Sequence, residues 1–204
     1  MRFVIMANGR GRRWGGYLGV PKHLIEVDGE TLLRRIARQL SELAPGSDVV
    51  ISASNPLYDT EGARRHAPLR NELELDRFAP ELIVDGVCFL YGDTFYSDAA
   101  LTQIATADVA ELGFFGDERG IVAVRATDGA VLRAHLDRVR ALFLAGEIDS
   151  CQGWQVYQSY RGVPLGAGRP CGGLTPLSAP VVGFNTPEEY EAFARTLSRL
   201  AVPA

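Results

Sequence analysis

The chain has 204 residues, 47% hydrophobic and 23% charged, the size and composition of a globular domain with a real buried core. Its formal charge of -4 argues against a nucleic-acid surface as its main business, so any anion site must be local. Three widely spaced cysteines, Cys88, Cys151 and Cys171, fit neither a disulfide framework nor a zinc pair, and the apolar run Phe3 to Ala7 is too short for a signal-peptide core or a membrane span, so a reducing, cytoplasmic location is expected.

In chain order, RFVIMA (2–7) reads as a buried strand that runs into ANGRGRRWGGYLG (7–19), where Gly9 and Gly11 stand among Arg10, Arg12 and Arg13. A loop is expected from Asn8 to about Pro21. HLIEVDGETLLRRIARQLSELAP then predicts a short extended piece, a turn at Asp28 and Gly29, and a helix from about Thr31 with Leu32, Leu33, Ile36, Leu40 and Leu43 on one face. DVVISA (48–53) is a second buried strand. Asn55 to Glu81 is polar with only weak helical periodicity. VCFLYGD (87–93) is a further strand with Gly92 and Asp93 at its carboxyl end, and a short helix follows, with Asp98 as its expected cap. LGFFGD (112–117) and GIVAVRA (120–126) read as strands joined by a turn, and VLRAHLDRVRALFLAG (131–146) as a helix. GVPLGAGRPCGG (162–173) reads as a loop before a last strand, PVVGF (180–184), and a last helix over 186–200 with Thr186 as N-cap and Pro187 in its first turn. Strands alternating with helices predict an α/β sandwich with a mostly parallel sheet, as one domain over 1–204.

In an open α/β sheet, ligands gather at the carboxyl ends of the strands, which places the first loop where phosphate binds. Gly9 and Gly11 allow close approach of backbone N–H groups to phosphate oxygens, and Arg13 adds a fork of donors. The dinucleotide fingerprint fails because Trp14 stands where its third glycine belongs, and the Gly-Lys-Ser/Thr of a P-loop is absent. A plain Arg-rich surface loop is the competing reading. Against it stands the Pro21-Lys22 pair, which sets a lysine between the loop and the helix, placed to meet the same anion.

IMANGRGRRW followed by VPKHLIEVDGETLLRR resembles the start of the nucleotidyltransferases with a glycosyltransferase-A-like fold, namely the sugar-1-phosphate nucleotidyltransferases and the molybdenum-cofactor guanylyltransferases. The resemblance implies a three-layer sandwich around a Rossmann-like sheet. It implies a nucleotide-binding loop of Ala7, Asn8, Gly9, Arg10 and Gly11, with Arg13 and Lys22 acting on the phosphates. FLYGDTFYSD places a magnesium-holding aspartate on Asp93, and GFNTPEEYEAF resembles the closing segment of the family. Asn55, near the end of the second strand, is a candidate for base or ribose, with a turn before Pro56 as the alternative.

The implied reaction joins a nucleoside triphosphate to a phosphorylated small molecule with Mg²⁺ as cofactor and pyrophosphate as leaving group, forming a nucleotide sugar when the acceptor is a sugar 1-phosphate. No nucleic-acid or membrane partner is expected, and an oligomer is left open. Two departures leave the acceptor open. Gly183 stands where many sugar nucleotidyltransferases carry a second magnesium-binding aspartate, and the Gly-Pro-Leu-Ala-Gly segment of guanylyltransferases is missing. The two further alternatives are a glycosyltransferase of the same fold, disfavoured because no Asp-x-Asp occurs, and a non-catalytic nucleotide-binding module.

Overall fold

The computed structural model describes residues 1–9, 11–166 and 173–200. Arg10 and Cys171 therefore lie outside the described residues, as does part of the expected loop at 162–173.

The strands are β1 (Arg2–Met6), β2 (Glu26–Val27), β3 (Glu30–Thr31), β4 (Asp48–Ser52), β5 (Arg64–His66), β6 (Val87–Tyr91), β7 (Thr94–Tyr96), β8 (Leu112–Asp117), β9 (Gly120–Ala126) and β10 (Val181–Gly183). The helices are α1 (Leu32–Leu43), α2 (Asp98–Thr106), α3 (Gly129–Leu144), α4 (Gly153–Arg161) and α5 (Pro187–Leu200). A six-stranded sheet runs in the order β5-β4-β1-β6-β9-β8. The first four strands are parallel, while β9 pairs antiparallel with both β6 and β8. The antiparallel end follows from the short turn between Asp117 and Gly120, too tight for a parallel crossover.

β1 is buried along most of its length because both of its faces are covered. Phe3 and Ile5 pack with Leu33, Ile36 and Leu40 of α1 and Leu101 of α2, whereas Val4 and Met6 pack with Leu132 and Leu136 of α3 and Val156 of α4. This is the continuous apolar run of a parallel central strand, and it makes the architecture a three-layer α/β sandwich. A third cluster gathers Trp14, Ile25, Val27, Leu32, Phe95 and Phe184 beneath α5.

The helix ends follow local side-chain chemistry, with one correction. Thr31 caps α1 by accepting from Arg34 N, and Thr186 caps α5 by accepting from Glu189 N. At α2 the cap is Ser97, which accepts from Ala100 N, and not the expected Asp98. Asp98 sits one residue inside, where its carboxylate accepts from Gln39 Nε2 at 2.6 Å and ties α2 to α1.

The polar stretch 55–81 resolves into β5 and three single 3-10 turns over Pro56–Tyr58, Glu74–Phe78 and Pro80–Leu82, elements too short to carry a periodic signal. The last strand stays outside the main sheet, as β10 pairs antiparallel with β7 in a two-stranded ribbon. No helix among the described residues is long and apolar enough to cross a membrane.

Candidate active site

β1 and β6 are parallel neighbours, so their carboxyl ends open on the same edge of the sheet. A cleft of about 1620 Å³ lies there, walled by Asn8, Gly9, Gly11, Arg13, Lys22 and Asp93 among others. Gly92 determines how Asp93 enters it. A Cβ on Gly92 would come within 2.9 Å of Met6 O and 3.1 Å of Ile5 Cγ2, so only glycine lets the exit of β6 press against β1 and turn the next side chain into the cleft.

Lys22 reaches the same point from the other side. Pro21, in extended backbone, leads into a 3-10 turn over Lys22–Leu24, and Leu24 N donates to Pro21 O at 2.9 Å. The turn directs the lysine inward, where its ammonium donates to Asp93 Oδ2 in an ion pair that is almost fully buried. Burial opposes ionisation of Asp93, but Lys22, His23 and Arg77 outweigh it and hold the carboxyl below its ordinary range, so it is a carboxylate at neutral pH. His23 is pushed down to about 4, by burial first and then by Lys22 and Arg77, against the pull of Asp93. It is neutral near pH 7, stacked edge-on with Tyr58 and with Nδ1 3.3 Å from the Tyr58 hydroxyl.

The arginine-rich loop is anchored. Trp14 is buried, donates from Nε1 to Val20 O at 2.9 Å, and meets Tyr17 and Tyr190 edge-on. Its burial gives the loop a fixed base. Arg13 Nη2 then donates to Asn185 Oδ1 at 2.9 Å, joining the first loop to the closing segment across 172 positions of sequence.

That closing segment also lies against Asp93. Phe184 N donates to Asp93 O at 2.8 Å, and Gly183 sits opposite Thr94 in the β7/β10 ribbon. A Cβ on Gly183 would meet only Thr94 Oγ1 at 3.7 Å and Asn185 Nδ2 at 3.9 Å, so packing leaves room for a side chain there. Among the described residues, no group of three or more His, Cys, Asp or Glu is placed to hold a metal ion. The hard, ionised oxygens of Asp93 nonetheless suit Mg²⁺, which takes one or two carboxylates and completes its shell with phosphate and water.

The expected nucleotide contacts divide. Asn8 bridges β1 to β4 by accepting from Ser54 N at 3.1 Å, while its Nδ2 is buried in the wall of the cleft without a partner among the described residues. Gly9 and Gly11 also line the wall. Ala7 is buried in the core behind it, with its N–H on Ser52 O. Asn55 is exposed and accepts from Leu57 N at 3.0 Å, the turn-forming alternative.

Two further residues belong to the wall. Trp154, buried at the start of α4, has the spacing of a core aromatic residue, although it also borders the cleft. Arg77 lies among carboxylates in ELELDRF, where its spacing suggests only a surface ion pair. In the structure its guanidinium lies over Gly9.

The profile of the MobA-like NTP transferase domain matches residues 3–111, which is more than half of the chain. No curated protein sequence gives a significant match. Among solved structures, a CTP:phosphocholine cytidylyltransferase from Streptococcus pneumoniae superposes with a TM-score of 0.60 at 12% identity, covering 96% of this chain and 98% of that one. A 2-C-methyl-D-erythritol 4-phosphate cytidylyltransferase from Thermus thermophilus gives 0.61 at 16% identity, covering 97% and 98%. An inositol-1-phosphate CTP transferase from T. maritima gives 0.59 at 14% identity, covering 97% and 94%. Likeness at such low identity establishes a shared fold that spans nearly the whole of both chains.

Proposed function

Since the chain belongs to the MobA-like NTP transferase family and is a nucleotidyltransferase, we propose that it joins a nucleoside triphosphate to a phosphorylated small molecule, in the first place a sugar 1-phosphate, with release of pyrophosphate and with Mg²⁺ as cofactor. The observation that carries this reading is the buried Lys22–Asp93 pair in the wall of a cleft that also holds Gly9, Gly11 and Arg13. Solved structures of the same fold include enzymes named for phosphocholine, inositol 1-phosphate and methylerythritol 4-phosphate, all phosphomonoesters, which supports that class of acceptor.

An oxygen of the acceptor phosphate attacks the α-phosphorus; the new P–O bond forms as the bond to the bridging oxygen breaks, and pyrophosphate departs in line. A phosphomonoester with a second pKa of about 6 is largely dianionic at neutral pH, so the nucleophile needs no general base. The protein's part is to position the groups and to neutralise charge. Lys22 steadies the reacting phosphates, and Arg13 with the amides of the Gly9–Gly11 loop receives the pyrophosphate. Asp93 is the residue that would hold Mg²⁺, which would supply Lewis-acid stabilisation of the charge on the phosphates.

The test is a panel of the four common nucleoside triphosphates against several sugar 1-phosphates, read by pyrophosphate release. Release is expected only when triphosphate, acceptor and Mg²⁺ are all present; release without acceptor would mark a hydrolase. A second reading, transfer of guanylate to a phosphorylated cofactor, is favoured by Asn185 ahead of Thr186 and Pro187. It would show as GTP-only turnover with no sugar phosphate accepted.

Arg13→Ala is expected to act mainly on triphosphate binding. Losing one charge-assisted contact should raise KM for the triphosphate roughly 10- to 100-fold, while kcat changes far less. Steady-state kinetics with varied triphosphate checks this, and unchanged KM would make Arg13 only a tie to Asn185.

A further inference from the structure

We propose that Arg77 is a third cationic contact for the phosphate chain of the nucleotide, made from outside the glycine-rich loop; this rests on the functional reading above. The first ground is position. A Cβ on Gly9 would lie 3.6 Å from both Cζ and Nη2 of Arg77, so the guanidinium lies against Gly9 in the wall of the cleft, and Arg77 itself lines that cleft.

The second ground is the balance of charge. Among the described residues, Lys22 is neutralised by Asp93, Arg13 bonds the neutral amide of Asn185, and Arg77 has a loose ion pair, 3.4 Å, with the exposed Glu74. Two arginines whose charge is incompletely met thus stand beside a balanced pair, an arrangement that suits a ligand with several negative charges.

The third ground is rigidity. Arg77 follows Asp76, a buried carboxylate that accepts from Glu72 N and Leu73 N, each at 2.9 Å, and forms an ion pair with Arg140 of α3. The turn presenting Arg77 is therefore held from within the core, so little ordering is needed when an anion arrives. A surface arginine used only for solubility has no need of such a support.

The experiment is calorimetric titration of inorganic tripolyphosphate and of the four nucleosides into wild type, Arg77→Ala, Arg77→Gln and Arg77→Lys. Tripolyphosphate binding should weaken roughly 10- to 100-fold in the Ala and Gln variants, the loss expected of one charged hydrogen-bonding group. Lys should recover part of it, any nucleoside binding should be unchanged, and the salt dependence should flatten in both neutral variants. The Gln variant keeps much of the packing over Gly9, so it answers the question even if Ala loosens the loop. Unchanged tripolyphosphate binding in the Gln variant, or an equal loss for nucleoside and tripolyphosphate, overturns the proposal. Pyrophosphate release by the wild type separately decides the functional reading, so failure of the one is distinguishable from failure of the other.

Discussion

Asp93→Asn is expected to reduce nucleotidyl transfer by about 10³-fold or more at ordinary Mg²⁺ concentrations, because the carboxylate proposed to anchor the metal is the group removed and such charge stabilisation amounts to several kcal/mol. Direct metal binding provides a second readout. In the free protein Asp93 is already engaged by Lys22, and no further carboxylate completes a set among the described residues. Calorimetry should therefore find little Mg²⁺ binding to the free protein and clear binding once triphosphate contributes its oxygens. Tight binding without nucleotide would point to another carboxylate. Asp117 lines the cleft but is held by Arg119 at 2.7 Å, and Glu188 stands exposed in the first turn of α5. Full activity in Asp93→Asn would remove the mechanistic assignment.

Lys22→Met is the second large effect, and it touches both chemistry and fold. Loss of a donor that stabilises the transition state lowers turnover by about 10²–10³, by analogy with an oxyanion-hole donor. From the sequence this lysine reads as one whose loss spares the fold, but its burial against Asp93 changes that expectation. Removing one partner of a buried pair costs about 3–5 kcal/mol when the other charge is left uncompensated. The double variant Lys22→Met with Asp93→Asn should regain much of that stability and none of the activity, separating the two roles.

The pH dependence of stability carries a sign that can be checked. In the wild type Asp93 titrates below the ordinary carboxylate value of 3.8. Its contribution is therefore complete above that value and is lost as pH falls through the still lower folded pKa. Without Lys22, burial, already the largest single influence on Asp93, is opposed only by His23 and Arg77, which lifts the folded pKa relative to the wild type. If it rises past 3.8, the sign reverses: stability is greatest below 3.8 and declines as pH rises through the folded pKa. Urea denaturation of both proteins between pH 3 and about 7 distinguishes the two slopes. Parallel profiles would show that the pair has no electrostatic weight.

What can be read directly from the chain is whatever neighbouring residues encode. The apolar run of β1, the spacing of Leu33, Ile36 and Leu40 on α1, and the Thr186 cap of α5 are local signals, carried by a period or by a side chain reaching three positions along. The motif around Gly9, Gly11, Arg13 and Lys22 is legible for a similar reason, since a loop between β1 and α1 must present its residues in order. Asp93 is legible from its place after a strand and a glycine, although the crowding of Gly92 against Met6 and Ile5 that aims it appears only when β6 lies beside β1.

Long-range pairings are decided by the tertiary structure alone. Lys22 with Asp93 spans 71 positions and Arg13 with Asn185 spans 172, and no periodicity constrains such distances. The 3-10 turns of 55–81 are too short for a pattern, so Arg77 reads as a surface charge until Asp76 and Arg140 place it over Gly9. At Asn55 the contact is local: its carboxamide oxygen accepts from Leu57 N in the turn that the following Pro56 suggests. Local free energy selects caps, turns and faces, whereas the identity of a cleft's walls follows from how whole layers pack, and that is a property of the assembled sheet and helices.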